Sequence, residues 1–387
     1  MTPAVLTGVA DLAELSDAAS FALLGPGYGG GPFLLLDTLE EIRVGSSEYE
    51  DASGREPLLV FVPFELPGCA ARIFRPRRVR PVDLEWGAQA AGLPLVEIGA
   101  PGGSAGVDVG ALTHAAAPAS WVPGCAGPAE LAAPDYAAVV ERIRCAIAAG
   151  DVYQVCYTVR ARLGPLPGAA LLGLLCAGGV PRHAAWVRLP GGPEIVSASP
   201  ELFFSTRGRR VRAEPMKGTA RLDAAGLLVT SEKEASELAM ITDLLRNDLT
   251  PVCVPRSVRV ACARRLVRLP YAWQCVSDVV GLLQPQCTPL DVLSALHPGG
   301  SVTGAPKAAA LTMIHQLEAG PRGAYCGALG LLSGERSVFG LLIRTAERTD
   351  GGWVYGVGSG IVWDSDAEAE LAELRLKLEA LAWRTRS

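Results

Sequence analysis

The chain has 387 residues, 49% of them hydrophobic and 19% charged, with a formal net charge of −5. That balance excludes intrinsic disorder, and the negative sign excludes a general attraction to nucleic acid or to an anionic membrane surface. The length suits one large domain or two modest ones, with a sizeable core either way.

The N-terminus, MTPAVLTGVADLAELSD, carries acids and no basic segment, which argues against a signal peptide. No apolar run reaches the ~18 residues of a membrane span, so a soluble, cytoplasmic protein is expected. Residues 1–130 are rich in Gly, Pro and Ala, with short strand-like runs at PFLLLDTL and PLLVFVPFEL. The basic run RPRRVR, Arg75 to Arg80, reads as a solvated arm or edge. The segment Ala100 to Gly127 reads as a loop or linker.

From residue 131 the pattern tightens. PDYAAVVERIRCAIAAGD predicts a helix with Asp135 as N-cap and Gly150 as its stop. VYQVCYTVRARL, AAWVRL, EIVSASPELFFSTRG and RRVRAEP predict strands, and at EPMKGTA the backbone is expected to turn. TSEKEASELAMITDLLRNDL predicts a long helix capped by Thr230 or Ser231. SVRVACARRLVRLP and WQCVSDVVGLL predict strands, APKAAALTMIHQLEA a helix, and ALGLLSG, SVFGLLIRTAE and WVYGVGSGIVW late strands. DAEAELAELRLKLEALAWR predicts a last helix. Strands interspersed irregularly with helices argue an α+β fold.

The ten cysteines form no CxxC pair, and the four histidines do not cluster with them. Zinc-finger and redox-motif readings therefore have no support. Cys69, Cys145, Cys176, Cys253 and Cys262 sit among apolar neighbours and read as small buried thiols.

Five features carry candidate chemistry. Lys217 in EPMKGTA is either a solvated surface lysine or, held beside a pocket, a nucleophile, since a desolvated amine loses its proton more easily. On the last helix, Asp366, Glu370, Glu373 and Lys377 share one face. Glu237 lies in SELAMI apart from the capping acids, and carboxylates from two helices facing one pocket would suit Mg²⁺. Glu201 follows a proline at the start of an apolar strand, a setting that raises a carboxyl pKa and suits a general acid. GSVTGAPK sets a glycine-rich turn before a helix, where backbone amides could meet an anion.

GDVYQV, SASPELF, PMKGT, ELAMITDLLRNDL, HPGGSVTGAPK, RGAYCGALG, IRT and GSGIVWDSDAEAELAE occur in this order. Together they resemble the chorismate-utilising enzymes over roughly residues 135 to 385. The resemblance implies two face-to-face antiparallel β-sheets flanked by helices, with residues 1–130 as a divergent part of the same β-sandwich and 131–387 as the chorismate-binding region. It implies Mg²⁺ held by Glu237 and Glu373, with Glu370 beside them. Arg344, Tyr325 and Lys377 become partners for the substrate carboxylates, and Gly358 and Gly360 offer backbone amides to the same groups. Gly218, Thr219, Ser301, Gln154 and Gln274 join the substrate's surroundings. Glu201 becomes the acid that protonates the departing 4-hydroxyl.

Within the family, Gln154 together with Lys217 resembles the aminodeoxychorismate synthase component I branch, in which the lysine attacks C2 of chorismate. The anthranilate synthase branch carries alanine in place of the lysine, and the isochorismate branch carries a lysine in place of Gln154. That branch implies ammonia as second substrate, supplied by a separate class I glutamine amidotransferase subunit, because no glutaminase motif is present. Burial and cationic neighbours such as Arg344, Lys377 and the metal are expected to lower the Lys217 pKa. Cys156 stands where relatives have asparagine, Glu214 where they have arginine, and Gln274 where many have histidine. Anthranilate or isochorismate synthase-like chemistry, and a catalytically silent glutaminase-binding subunit, are the alternatives.

Overall fold

The computed structural model describes residues 4–6, 15, 18–29, 33–43, 56–65, 71–84 and 120–122, and 133–379 apart from 164–165, 177–178, 221, 224 and 270–271. Two of the predicted long strands are broken. EIVSASPELFFSTRG forms Glu194–Ser199 and Leu202–Arg207, because Pro200 has no N–H for a ladder. SVFGLLIRTAE forms Arg336–Leu341 and Thr345–Thr349, because Arg344 between them takes a left-handed φ of 52°.

The strands join in one hydrogen-bonded network, antiparallel throughout except for Ala4–Leu6 against Val82–Leu84. The ladder runs from Gln154–Leu163 through Gly352–Ile361, Thr345–Thr349, Glu194–Ser199 and His183–Arg188 to Phe21–Leu24 and Phe33–Ile42. It continues through Arg72–Leu84, Leu58–Val62, Ala328–Ser333, Arg336–Leu341, Leu202–Arg207 and Arg210–Ala213 to Trp273–Leu282. Strands far apart in that order nevertheless touch: a Cβ at Gly340 would meet the His183 Cβ at 2.9 Å. The ladder therefore folds back as two facing layers, with helices outside. Arg75–Arg80 bonds to Phe33–Ile42 along one side, as an edge segment would.

Between the layers, Phe204 stacks on Phe339 at 4.5 Å and Phe21 meets Trp186 edge-on at 4.7 Å, all fully buried. Burial of each such ring stabilises the fold by roughly 3 kcal/mol. Ser231 caps Glu232–Leu249 by accepting from the Glu234 N–H at 3.2 Å. The predicted Asp135 cap is displaced, since that helix begins at Ala133. Helices at Gly168–Leu175 and Pro289–Leu296 add to those predicted; the second opens on a Thr288–Asp291 capping box. Of the expected buried thiols, Cys176 and Cys253 are buried, Cys145 is exposed and Cys262 half-exposed, and Cys69 lies outside the described residues. Among the described residues no helix is long and apolar enough to cross a membrane.

Candidate active site

EPMKGTA does not turn; its core, Met216–Ala220, is a strand paired with Trp273–Leu282. The register slips between Lys217 and Thr219, where Gly218 takes a φ of +72°. What reads as a glycine turn is a β-bulge, which re-aims a side chain while keeping its strand in the ladder. The positive φ calls for glycine there, and a side chain would also have to displace the Glu234 carboxylate, 2.6 Å from where its Cβ would stand.

The bulge sends half-buried Lys217 across to the opposite layer. A Cβ at Gly360 would stand 3.4 Å from the Lys217 Nζ and 2.5 Å from the Gln154 Nε2. Glycine at 360 thus keeps open the space these two nitrogens share. Gln154 is fully buried on Gln154–Leu163, and its Nε2 donates to the Cys156 sulfur at 3.4 Å. Cys156, marked in the sequence only as a departure from the family's asparagine, therefore stands inside the site.

Glu201 comes from the break after Pro200. Its N–H donates to Ser199 Oγ at 3.2 Å, and its carbonyl accepts from Leu341 N–H at 3.2 Å. Burial pushes its carboxyl up to about 7, against the opposing pull of the Ser301 hydroxyl, Lys217 and the Met216 backbone. Ser301 Oγ donates to Glu201 Oε1 at 3.1 Å. The segment GSVTGAPK, expected as a turn, is a short helix Gly300–Thr303 followed by Gly304–Ala305, which pairs with Gln154–Val155. Its role here is to deliver Ser301 to the acid.

Lys217 departs from expectation in its charge. Burial acts to lower its pKa, but Cys156, Glu237, Glu201 and Glu373 act together to raise it, and the net direction is upward. Together these four neighbours outweigh desolvation, and the amine is held as an ammonium. Glu237, on Glu232–Leu249, and Glu373, on Ala367–Glu379, act on it through their charge. Their oxygens on two helices fit a hard cation. Among the described residues no three His, Cys, Asp or Glu side chains gather for a metal, so the protein would supply two carboxylates and leave further positions to substrate and water oxygens. Glu370 is buried and accepts from Ser365 Oγ at 2.8 Å.

Lys377 pairs with Glu373 at 2.7 Å and donates to the Gly358 carbonyl at 2.9 Å. In the ladder Gly358 is opposite Thr158 and Gly360 opposite Cys156. The Thr158 N–H donates to Glu318 at 3.0 Å and the Cys156 carbonyl accepts from Arg322 at 2.7 Å, so both residues point away from Gly352–Ile361. By the antiparallel alternation, Gly358 and Gly360 then turn their own N–H groups to the free edge, past the end of Thr345–Thr349. Arg322 and Glu318, a buried pair at 2.6 Å, anchor Gln154–Leu163, a contact the i,i+4 spacing in EAGPR could have signalled.

Arg344 lies at the break between its two strands, with its carbonyl accepting from Ala198 N–H at 3.0 Å. The Tyr325 ring covers Gly356, where any side chain would collide with it, and burial holds the Tyr325 phenol protonated. Gln274 donates to Thr219 Oγ1 at 3.1 Å, one register step beyond Lys217. A cavity of about 190 Å³ adjoins Arg160, Arg322, Tyr325, Thr345, Glu347 and Gly356, and reaches neither Glu201 nor Lys217. The site thus has a tight cluster of Glu201, Ser301, Lys217, Gln154, Cys156 and Gly360, flanked by the carboxylates and the glycine edge.

Residues 118–382 match the family model for chorismate binding enzymes. An aminodeoxychorismate synthase of Streptomyces pristinaespiralis is 37% identical over 261 residues, 64% of this chain and 36% of that protein. An anthranilate synthase of Azospirillum brasilense is 32% identical over 391 residues, 98% of this chain and 50% of that protein. The solved menaquinone-specific isochorismate synthase of Escherichia coli has a TM-score of 0.72 at 16% identity, over 96% of this chain and 90% of that one, and shares the fold. The chain spans about a third to a half of the length of these curated relatives.

Proposed function

The chain belongs to the chorismate-binding enzyme family, and from that premise we propose that it is the large component of an aminodeoxychorismate synthase. It converts chorismate and ammonia to 4-amino-4-deoxychorismate and water. The observation that carries this reading is Lys217 aimed by its bulge at the Gln154–Gly360 space, beside a buried carboxyl raised to about 7.

Lys217, once deprotonated, attacks C2 of chorismate while both ring double bonds shift by one position and the 4-hydroxyl leaves. Glu201 gives that hydroxyl its proton, so water departs. Ammonia then adds at C4 and returns a proton to the Glu201 carboxylate, both double bonds shift back, and the Lys217 amine is expelled. The enolpyruvyl group stays attached throughout. Glu237 and Glu373 would hold Mg²⁺, which when bound supplies positive charge to the ring carboxylate and offsets two of the acids that raise Lys217. Arg344, Tyr325 and Lys377, with the Gly358 and Gly360 amides, take the substrate carboxylates. Ammonia comes from a separate glutaminase subunit.

A second reading, anthranilate synthase, is favoured by the relative that matches along 98% of the chain. One experiment separates the two. The purified chain, given chorismate, Mg²⁺ and ammonium, is expected to form 4-amino-4-deoxychorismate by mass without pyruvate. Anthranilate with stoichiometric pyruvate would decide for the second reading, and no amination for neither.

A further inference from the structure

The contacts of Cys156 fix the direction of an amide. Cys156 is 7% exposed and has one S–H, which it donates to the Ser301 carbonyl at 3.4 Å. Toward its other neighbour the sulfur can only accept, and the Gln154 Nε2 donates to it at 3.4 Å. An amide that turns its NH₂ to the sulfur turns its oxygen elsewhere. Gln154 is fully buried, and its Oε1 has no hydrogen-bond partner among the described residues. Such an oxygen is costly to leave unpaired, so a donor is called for. The same amide borders the space above Gly360 that the Lys217 amine also reaches.

We propose that Cys156 is a positioning residue, which holds the Gln154 amide with its oxygen turned into the reaction space as an acceptor for an N–H of the ammonia nucleophile. This rests on reading the chain as an ammonia-using chorismate enzyme. Ammonia has one lone pair, which must point at carbon, so its N–H groups are what the protein can grip. Lys217 already has Glu201, Glu237 and Glu373 about it. A neutral amide oxygen orients a nucleophile whose lone pair is ready, and it lacks the basicity to take a proton from water. Cys156 thus favours amination by orienting an acceptor rather than by touching substrate.

The test measures KM for ammonium and for chorismate in the full chain with Mg²⁺. Cys156→Ala frees the amide to rotate and is expected to raise the ammonium KM about fivefold to tenfold, with the chorismate KM within about twofold. Cys156→Ser keeps one donor and one acceptor and should stay near wild type. In the Gln154→Glu background both side-chain oxygens accept, orientation no longer matters, and Cys156→Ala should add nothing. If Cys156→Ala shifts both KM values alike, or loses as much in the Gln154→Glu background, Cys156 is packing alone and the inference is overturned. A wild type that forms no aminated product overturns the functional reading, and the inference with it.

Discussion

Ser301 Oγ donates to Glu201 Oε1 at 3.1 Å, and it does so to a carboxyl that burial has already pushed up to about 7. The bond favours the ionised form, while the surroundings favour the neutral acid.

The folded protein therefore holds a proton on Glu201 that the unfolded chain releases near pH 4.5. Stability from this group is fully present below about pH 4.5 and is lost as pH rises through about 7. Glu201→Gln, neutral at every pH, is expected to match wild type near pH 4 and exceed it at pH 8 by roughly 3 kcal/mol. The same variant should lose about 10²–10⁴ of turnover as a missing general acid. Ser301→Ala, which removes a contact to the ionised form, should steepen the pH dependence. Thermal unfolding at both pH values checks the sign; a Glu201→Gln variant no more stable than wild type at pH 8 would show Glu201 to be ionised at little cost.

For the metal, Glu237→Ala and Glu373→Ala are each expected to abolish turnover while unfolding shifts by under about 1 kcal/mol. The Glu373–Lys377 pair is 52% and 40% exposed, and exposed pairs contribute little. EDTA should silence the wild type and added Mg²⁺ restore it. Full activity in EDTA, or in either variant, would remove the metal from the mechanism.

Element types were legible because strand and helix periods are strong: Ser231 caps the helix where TSEKEAS promised, and the glycine-rich late strand runs Gly352–Ile361. Breaks were harder. Pro200 and Arg344 sit inside apolar runs, and nothing in SVFGLLIRTAE signals a left-handed arginine. Lys217 was legible as a functional candidate but its setting was not, because MKGT has the glycine of a turn and the pairing of a strand. Its charge was not legible for a physical reason: sequence shows the cations of the chain's motifs, whereas the fold brings Cys156, Glu237, Glu201 and Glu373 to it from separate elements.

Acid should weaken the fold through His183, whose ring is fully buried and whose nitrogens have no partners among the described residues. Burial drives its pKa down to about 3, while the unfolded chain titrates at 6.5. The unfolded state binds the extra proton between those values, so this contribution is present above about pH 6.5 and is lost as pH falls toward about 3. From pH 7 to pH 5 the loss is about 2 kcal/mol. His183→Gln is expected to lower stability at pH 7 yet flatten the acid limb. Parallel pH profiles for the two proteins would show that another group sets acid sensitivity.

The Lys217 amine must shed a proton that its neighbours help to hold, so attack requires that the negative charge of Glu237, Glu201 and Glu373 be offset in part when substrate and cation are bound. Lys217→Ala removes the covalent route and leaves Glu201, Ser301 and the glycine edge in place. It also recreates the alanine of the anthranilate synthase branch that the motif resembles. The variant is expected to lose about 10²-fold or more in 4-amino product, with residual chemistry at C2 instead. Wild type incubated with a chorismate analogue that cannot complete the second addition should carry a mass adduct on the Lys217 peptide, absent from the variant. With chorismate itself, lowering the ammonium concentration should raise the adduct's occupancy, because ammonia is what expels the amine. If Lys217→Ala forms 4-amino-4-deoxychorismate at the wild-type rate, the lysine is a binding group for substrate and ammonia adds without it.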